Sequence, residues 1–339
     1  MKNDKFRVSV AICTYNGEKY LGEQLDSILE QTRQPDEITL LDDNSSDGTL
    51  ILAENKLKKS GIPYHILQHK QNLGVKVSFT ECILACSGDI VFTADQDDVW
   101  RKDKIALMLE EFDNDPRCVM VFSNAELVDA EGKSLGCDVW TALNLRRAGL
   151  RNHIPQEDYR RLIMYTWAVP GTTMGVRRDF AEKAFPVPEE GGYIHDSWLA
   201  VTAPVYGIVT AVDLPLTAYR QHGKNTVGVH FKKHGPRHQD ILQLRKVLFY
   251  LKRHAARLRV VLNVKGKVLP ADYRMELTES IELFERYAHY EGDGAVKKIL
   301  FLLARTIDGG LGRFHISRRD VFYYLLHQIF RRRGGRSSE

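Results

Sequence analysis

Residues 89–100 read Asp89-Ile-Val-Phe-Thr-Ala-Asp-Gln-Asp-Asp-Val-Trp100. A short apolar run ends at once in three carboxylates, Asp95, Asp97 and Asp98, which predicts a buried strand whose C-terminal end meets a loop. Open α/β sheets bind ligands at the carboxyl ends of their strands. Carboxylates this close repel one another unless water or a cation compensates them, and their oxygens suit Mg²⁺ or Mn²⁺. Taken alone, the stretch could also be a solvated acidic turn.

The preceding sequence alternates apolar strand patterns with amphipathic helix patterns. We predict strands at 7–13, 38–41 and 64–67, separated by helices that begin near residues 18, 50 and 75. This alternation predicts a parallel sheet with right-handed crossovers. Further along, the patterns predict helices over 101–117 and 178–185 and short strands at 119–122, 208–212 and 216–219.

The predicted strand ends carry polar loops. Thr14-Tyr15-Asn16 offers an aromatic face for stacking a base, although Tyr15 could equally pack within its loop. Asp42 and Asp43 could accept hydrogen bonds from a base or a ribose, or they could form an Asx-turn and helix cap. Neither G-x-G-x-x-G nor G-x-x-x-x-G-K-[ST] is present, which argues against dinucleotide-binding and P-loop proteins.

The second half of the chain supplies three further candidate segments. Gly171-Thr-Thr173 is a turn that could let the backbone approach a ligand, or a plain connector. Asp196 follows a loop rich in Pro and Gly, so it could cap a helix or act as a general base on a mobile lid. The segment 220–226 combines hydrogen-bond donors with one imidazole, that of His222.

Composition and charge bound the remaining possibilities. With 339 residues, 43% hydrophobic, the chain can form one large α/β domain with a helical annex. Net charge is only +4, but residues 224–267 carry twelve Lys or Arg against one acidic residue, Asp240. Five cysteines without a C-x-x-C pair indicate reduced thiols and a cytosolic site. Neither a signal peptide nor a membrane span is recognisable, so we expect a soluble or peripheral protein.

Together these motifs resemble the inverting glycosyltransferases of family 2, which have the GT-A fold. The resemblance covers roughly residues 7–228 and rests on several motifs in order. They are 8–16 (first strand and nucleotide loop), 42–49 (second nucleotide turn), Asn72-Leu-Gly74, the D-x-D motif Asp95-Gln96-Asp97 with its variable centre, His195-Asp196-Ser-Trp198 on the acceptor side, and Tyr219-Arg-Gln-His-Gly223, seen in rhamnosyltransferase-like members.

The resemblance implies a Rossmann-like, mostly parallel sheet flanked by helices. Residues 1–228 would form the catalytic domain, with a nucleotide-sugar half (about 1–125) and an acceptor half (about 126–228). Residues 229–339 would form a basic helical extension. Its amphipathic stretches could lie on an anionic membrane or pack on the catalytic domain.

The resemblance also assigns roles to individual residues. Asp196 would be the general base, and Asp97 and His222 would hold Mn²⁺ or Mg²⁺. The acceptor side would include Gly171, Thr172, Thr173, His195 and Trp198. The nucleotide and donor sugar would be held by Thr14, Tyr15, Asn16, Asp42, Asp43, Lys76, Asp95, Arg220 and Lys224.

The implied activity is that of a metal-dependent hexosyltransferase. It would move one sugar from a nucleoside-diphosphate sugar, dTDP-rhamnose or a UDP-sugar, to a saccharide or lipid-linked saccharide in cell-surface polysaccharide synthesis. We expect a cytoplasmic protein, peripheral at the inner face of the membrane if the basic region binds lipid. Three alternatives remain at this point: a sugar nucleotidyltransferase, a basic nucleic-acid-binding protein, and a non-catalytic member of the same fold.

Overall fold

The computed structural model describes residues 5–143, 145, 150–165, 169–223 and 244–288. By their contacts the described residues fall into two compact units, 5–223 and 244–288. Each unit is described by itself below.

The first unit alternates strands and helices as far as β4. Its elements are β1 (Val8–Thr14), α1 (Glu18–Leu29), β2 (Glu37–Asp42), α2 (Thr49–Ser60), β3 (Tyr64–Gln68), α3 (Val75–Ala85), β4 (Ile90–Asp95), β5 (Val99–Trp100), α4 (Lys104–Asn114), β6 (Cys118–Val128), β7 (Ser134–Asp138), α5 (Val139–Ala142), α6 (Gln156–Tyr165), β8 (Met174–Arg177), α7 (Arg178–Ala184), α8 (His195–Tyr206) and β9 (Ile208–Arg220).

These strands form one sheet in the order β3-β2-β1-β4-β8-β6-β9-β5, with β7 on β6. The first four strands are parallel, as the βα alternation predicts. The short strand β8 then pairs antiparallel with both β4 and β6, so the second half of the sheet is mixed. This arrangement places the carboxyl ends of β1, β2 and β4 side by side at one edge.

The prediction of two strands at 208–212 and 216–219 is wrong, because β9 is continuous over Ile208–Arg220. Its interior Pro215 lies opposite Asn124, where the pairing register of β6 and β9 shifts. A proline is tolerated at such an irregularity because the missing N–H breaks no regular ladder bond. The strand therefore carries Arg220 to the same edge as the acidic cluster.

The core lies between this sheet and its helices. In α1, Leu21, Leu25 and Ile28 are fully buried, which is the face that the helical spacing predicts. Each such side chain contributes about 1.5–3 kcal/mol by leaving water. Cys82 and Cys86 are also buried, and all five cysteines are free thiols, as predicted.

The second unit contains α9 (Leu244–Lys265) and α10 (Ala271–Ala288). No acidic residue occurs in α9, whereas acidic residues outnumber basic ones in α10. Arg259 donates two hydrogen bonds, both 2.8 Å, to the carboxylate of Glu285. The basic helix thus meets part of its counter-charge within its own unit. Among the described helices, none is both long and apolar enough to cross a bilayer.

Candidate active site

The register of the parallel strands brings three predicted site residues level. Cys13 is paired with Leu41 of β2 and with Asp95 of β4, and Thr14 is paired with Asp42. The loops that follow β1, β2 and β4 therefore leave the sheet at the same height. Because the carboxyl ends of parallel strands are where such sheets bind ligands, this edge is the candidate site.

Asp42 anchors the second of these loops from inside. It is fully buried, and its carboxylate accepts hydrogen bonds from the Thr14 hydroxyl (2.8 Å) and from the Ser45 amide and hydroxyl (2.7 and 2.5 Å). Both oxygens are engaged within the protein. A direct contact of Thr14 or Asp42 with a nucleotide stays a prediction, and in this structure the pair fixes the loop.

Asp43 holds the Asn72-Leu-Gly74 turn. Its oxygens accept hydrogen bonds from the amides of Leu73 and Gly74, both at 2.8 Å, and one lies 2.7 Å from the His69 ring. Burial alone would raise the pKa of Asp43, but the hydrogen bonds from Leu73, His69 and Gly74 outweigh it and lower the pKa. Gly74 has a φ of +83°, so glycine is required where this turn enters α3.

The first loop presents Tyr15 to solvent. Its side chain is 48% exposed, which leaves the ring face open for stacking. The next residue, Asn16, has a φ of +49° and is hydrogen-bonded to the loop after β2. Its amide donates to the Ser45 hydroxyl (2.8 Å), and its side-chain oxygen accepts from the Ser46 amide (2.9 Å).

The acidic cluster lies at the end of β4. Asp98 is fully buried and accepts a hydrogen bond from the backbone amide of Arg220 (2.9 Å). Burial and the neighbouring Asp97 and Asp95 raise its pKa well above the usual range. Asp95 is half-buried; its burial, together with the charges of Asp97 and Asp196, raises its pKa to about 8. The structure thus brings Asp196 close to the D-x-D motif although about a hundred residues separate them in sequence.

Asp97 and His222 are in direct contact, with 2.7 Å between the carboxylate oxygen Oδ2 and the ring nitrogen Nε2. The His222 ring stacks on Tyr20, with the ring centroids 5.0 Å apart and the planes at 20°. In the described ranges, no group of three or more His, Cys, Asp or Glu side chains could hold a metal ion. One carboxylate and one imidazole suit a Mg²⁺ or Mn²⁺ ion that takes its other ligands from water and phosphate.

Arg220, predicted to contact a diphosphate, is buried against the loop that follows β4. Its guanidinium donates to the carbonyl of Asp97 (2.7 Å), the carbonyl of Ala130 (3.1 Å) and the carboxylate of Glu23 (2.6 Å). The bond to the carbonyl of Asp97 holds the backbone of that residue in place, so Arg220 stabilises the loop that carries the acidic cluster. Lys224 lies outside the described residues.

Gly171 lies between β4 and the start of α8. Its carbonyl accepts a hydrogen bond from the Thr93 hydroxyl of β4 (2.5 Å). A Cβ atom at Gly171 would lie 2.6 Å from the His195 ring and 3.6 Å from the Cβ of Asp196, so only glycine allows this approach. Asp196 is half-buried in the first turn of α8, where the helix dipole favours a negative side chain.

The other acceptor-side residues are buried. Trp198 is fully buried, and its indole donates to the carbonyl of Ala184 (2.9 Å), so the structure places it in the core. Thr172 and Thr173 are buried as well, and the Thr173 hydroxyl donates to the carbonyl of Pro170 (2.7 Å). Among these predicted residues, Asp196 is the one that both carries a charge and lies near the D-x-D motif.

His195 is buried against Phe79, with ring centroids 3.9 Å apart and planes at 18°. Neither ring nitrogen has a hydrogen-bond partner among the described residues. Burial therefore favours the neutral ring and lowers the pKa of His195 to about 3.

This burial predicts acid sensitivity of folding. Between pH 6.5 and 3 the unfolded chain binds a proton at His195 and the folded chain does not, so stability falls as pH falls. We expect His195 to lower the free energy of unfolding by about 2 kcal/mol between pH 7.5 and 5. Denaturant titrations at the two pH values give the free energy of unfolding at each. The difference between these two free energies should be smaller in His195→Phe than in wild type by this amount.

The compared quantity is the difference in unfolding free energy between the two pH values, because the larger ring could change absolute stability by overpacking. His65 on β3 is exposed, so His65→Phe serves as the control and should keep the wild-type pH dependence. An unchanged difference in His195→Phe would contradict a neutral buried imidazole.

Lys104 lies next to the acidic cluster, although nothing in the sequence pattern singles it out. It is fully buried at the start of α4, and its ammonium nitrogen donates to the carbonyl of Thr172 (2.5 Å) and the hydroxyl of Thr217 (3.0 Å). It also lies 3.9 Å from the centre of the Trp100 ring. Burial lowers the pKa of Lys104 well below its usual range, although Asp98 and Asp95 oppose this. Lys104 thus lies between the Gly171 turn and the buried carboxyl groups of the acidic cluster.

Lys76, another predicted diphosphate contact, forms an ion pair with Glu189 (2.5 Å). Glu189 is 85% exposed and lies on the loop before α8. The exposed carboxylate keeps much of its contact with water, so this ion pair contributes little energetically and a phosphate could displace Glu189.

Comparison with known proteins identifies the family. The model of glycosyl transferase family 2 matches residues 9–185, just over half of the chain. The chain belongs to glycosyltransferase family 2. The matched segment contains both nucleotide loops, the D-x-D motif and the Gly171 turn. It ends before Asp196, Arg220 and His222, so the family match does not test the roles predicted for these three residues.

Two curated relatives show how far the likeness extends. An uncharacterised glycosyltransferase of Nostoc sp. is 27% identical over 231 residues, 65% of this chain and 66% of the Nostoc protein. The dTDP-rhamnosyl transferase RfbG of Shigella flexneri is 27% identical over 230 residues, 64% of this chain and 73% of that protein. The match thus spans slightly less than two thirds of the Nostoc protein.

Among solved structures, S. aureus TarS residues 1–349 in complex with UDP-GlcNAc matches with a TM-score of 0.58 at 17% identity. The match covers 100% of this chain and 93% of the TarS chain. At this identity the likeness shows the fold. It confirms the prediction of a GT-A α/β fold for this member of family 2.

Proposed function

We propose that this family 2 protein is an inverting glycosyltransferase. It transfers one sugar from a nucleoside-diphosphate sugar to a saccharide or lipid-linked saccharide acceptor in cell-surface polysaccharide synthesis. The observation that carries the proposal is that Asp196, in the first turn of α8, lies near Asp95 and Asp97 at the carboxyl end of β4. Family membership sets aside the nucleotidyltransferase and nucleic-acid-binding alternatives.

The proposed donor site consists of the loops after β1, β2 and β4. The exposed ring of Tyr15 stacks on the base, while the buried network of Thr14, Asp42 and Ser45 holds the two nucleotide loops in place. Asp95 is positioned to accept a hydrogen bond from a ribose or sugar hydroxyl. Lys76 exchanges Glu189 for a phosphate oxygen.

Asp97 and His222 would hold the divalent cation. The proposal is supported by their direct contact, 2.7 Å between Oδ2 of Asp97 and Nε2 of His222, because neighbouring oxygen and nitrogen atoms can turn toward the same cation. When bound, the cation neutralises the charge that develops on the departing nucleoside diphosphate. Tyr20 and Arg220 keep the two ligands in place, the first by stacking on His222 and the second by binding the backbone of Asp97.

Asp196 would act as general base. It accepts the proton of an acceptor hydroxyl, whose oxygen forms a bond to the anomeric carbon while the bond to the diphosphate breaks. A single displacement from the opposite face inverts the anomeric configuration. The Gly171 turn and the buried His195 ring fix where the carboxylate lies relative to Asp95.

We propose dTDP-rhamnose as the first donor to test and UDP-sugars as the second. Support comes from the Tyr219–Gly223 motif and from the likeness to a dTDP-rhamnosyl transferase. Purified protein with Mn²⁺ and a panel of dTDP-, UDP- and GDP-sugars should release nucleoside diphosphate from one donor, and EDTA should abolish the release. Because turnover without an acceptor can be slow, thermal-shift stabilisation by dTDP, UDP and GDP is measured in parallel. The absence of both release and stabilisation across the panel would contradict the proposal.

Contact of the basic helical region with an anionic membrane is the remaining proposal. It is supported by the charge of residues 224–267, although α9 already meets the acidic α10. Residues 318–336 contain six further arginines but lie outside the described residues. We expect sedimentation with anionic vesicles at low salt and its loss at high salt, since the distance over which surface charges interact falls to about 3 Å at 1 M salt. Failure to sediment at low salt would contradict membrane contact.

A further inference from the structure

Gln96, the central residue of the D-x-D motif, binds the backbone of the first nucleotide loop. Its side-chain oxygen accepts a hydrogen bond from the amide of Tyr15 (2.8 Å), and its side-chain nitrogen donates to the carbonyl of Tyr15 (3.1 Å). The amide therefore uses one donor and one acceptor on the same residue. Neither a carboxylate nor a hydrocarbon of the same length can make both bonds.

Gly17 makes room for this contact. A Cβ atom on Gly17 would lie 2.2 Å from the oxygen and 2.6 Å from the amide carbon of Gln96. The three atoms nearest to that Cβ all belong to Gln96. Since the backbone of Gly17 has a φ of −101°, alanine would fit there but for the Gln96 side chain. A methyl group at residue 17 would therefore displace the Gln96 amide.

The loop is fixed on its other side as well. Asn16 is hydrogen-bonded to Ser45 and Ser46 of the second nucleotide loop. The main chain of Tyr15 and Asn16 is thus held between the D-x-D loop and the second loop, while the Tyr15 ring remains 48% exposed. The only link in the described structure from this backbone to the D-x-D side chains is Gln96.

We infer that Gln96 is a positioning residue that couples nucleotide recognition to the loop after β4, which carries the proposed metal ligand Asp97. It fixes the backbone of Tyr15 so that the exposed ring is already oriented for a base when the flanking Asp95 and Asp97 engage the rest of the donor. The inference rests on the proposed function. It assigns a specific role to the residue that stands between the two aspartates of the motif.

Gln96→Met tests this role because methionine has a similar length but cannot make the two hydrogen bonds. Each lost bond weakens the preorganisation of the loop, so we expect affinity for the preferred nucleoside diphosphate to fall about tenfold in calorimetric titrations with dTDP, UDP and GDP in the presence of Mn²⁺. The KM for the donor should rise by the same factor, while kcat at saturating donor stays near the wild-type value. Gln34→Met is the matched control, because exposed Gln34 also donates to a backbone carbonyl, that of Leu29 (3.0 Å), far from these loops.

Gly17→Ala provides a second route to the same defect. It should weaken nucleotide binding to a similar extent in the wild-type background. It should add nothing in the Gln96→Met background, because both substitutions remove the same contact between the Gln96 amide and the Tyr15 backbone. Amide hydrogen exchange of nucleotide-free protein supplies a readout without ligand. The Tyr15 amide should exchange faster in Gln96→Met and in Gly17→Ala than in wild type or Gln34→Met.

The outcomes separate the inference from the proposed function. If wild type binds a nucleotide and Gln96→Met binds it equally well, the inference is wrong and the function stands. Additive effects of the two substitutions, or a slow Tyr15 amide in both variants, would also overturn it. If wild type binds none of the three nucleotides, the proposed function is contradicted and the inference falls with it.

Discussion

Asp196→Asn is expected to reduce sugar transfer by about 10²–10⁴-fold, the usual contribution of a general base. The asparagine amide has the same size but cannot take the proton from an acceptor hydroxyl. Because the side chain keeps its place beside Gly171 in the first turn of α8, donor and metal binding should not change. The loss should therefore appear in kcat, measured as release of nucleoside diphosphate with a saturating acceptor.

Asp179→Asn is the control for this experiment. Asp179 is exposed on α7 and pairs with Lys183, so its neutralisation should leave transfer intact. If Asp196→Asn turned over at a rate close to wild type, Asp196 would not be the base. If it lost donor affinity as strongly as turnover, Asp196 would hold the donor instead.

Asp97→Asn is expected to abolish tight Mn²⁺ binding and to lower transfer by about 10³-fold or more, because metal neutralisation of a leaving diphosphate is worth several kcal/mol. The asparagine can still contact His222, so the loop and the Tyr20 stack should be preserved. The first readout is direct: Mn²⁺ titration followed by electron paramagnetic resonance of the free ion. The second is nucleoside diphosphate release as a function of Mn²⁺ concentration.

Two variants complete this series. His222→Ala should weaken Mn²⁺ binding as Asp97→Asn does, if both side chains hold the same ion. Asp113→Asn, at an exposed carboxylate that pairs with Lys5, should bind Mn²⁺ as wild type does. Wild-type metal affinity in Asp97→Asn would contradict the assignment of the metal site.

The first four strands and their helices could be predicted because local pattern decides them. Each strand is an apolar run that ends in a polar turn, and each crossover helix has one apolar face. The second half of the sheet is less predictable from local sequence patterns. Strand β8 has only four residues after a Gly-Thr-Thr turn, and β9 continues through Pro215 because its partner strand shifts register there. Such pairing depends on residues far away in the sequence.

The site divides in the same way. Sequence motifs pointed to Asp95, Asp97, Asp196 and His222, and the fold brings these residues together. Lys104 and Tyr20 could not be selected, since a lysine at a helix start and a tyrosine in an amphipathic helix are ordinary surface residues by pattern. The sequence predicts a diphosphate contact for Arg220, whereas in the structure its guanidinium donates hydrogen bonds to Asp97, Ala130 and Glu23. These three partners are far from Arg220 in sequence, so no local pattern indicates them.

The most direct test of the account is a crystal structure with Mn²⁺ and the nucleoside diphosphate of the preferred donor, with the ion located by anomalous scattering. We predict an ion about 2.0–2.3 Å from Oδ2 of Asp97 and Nε2 of His222, diphosphate oxygens on the same ion, and the base against the Tyr15 ring. An ion or nucleotide bound away from the ends of β1, β2 and β4 would contradict the account.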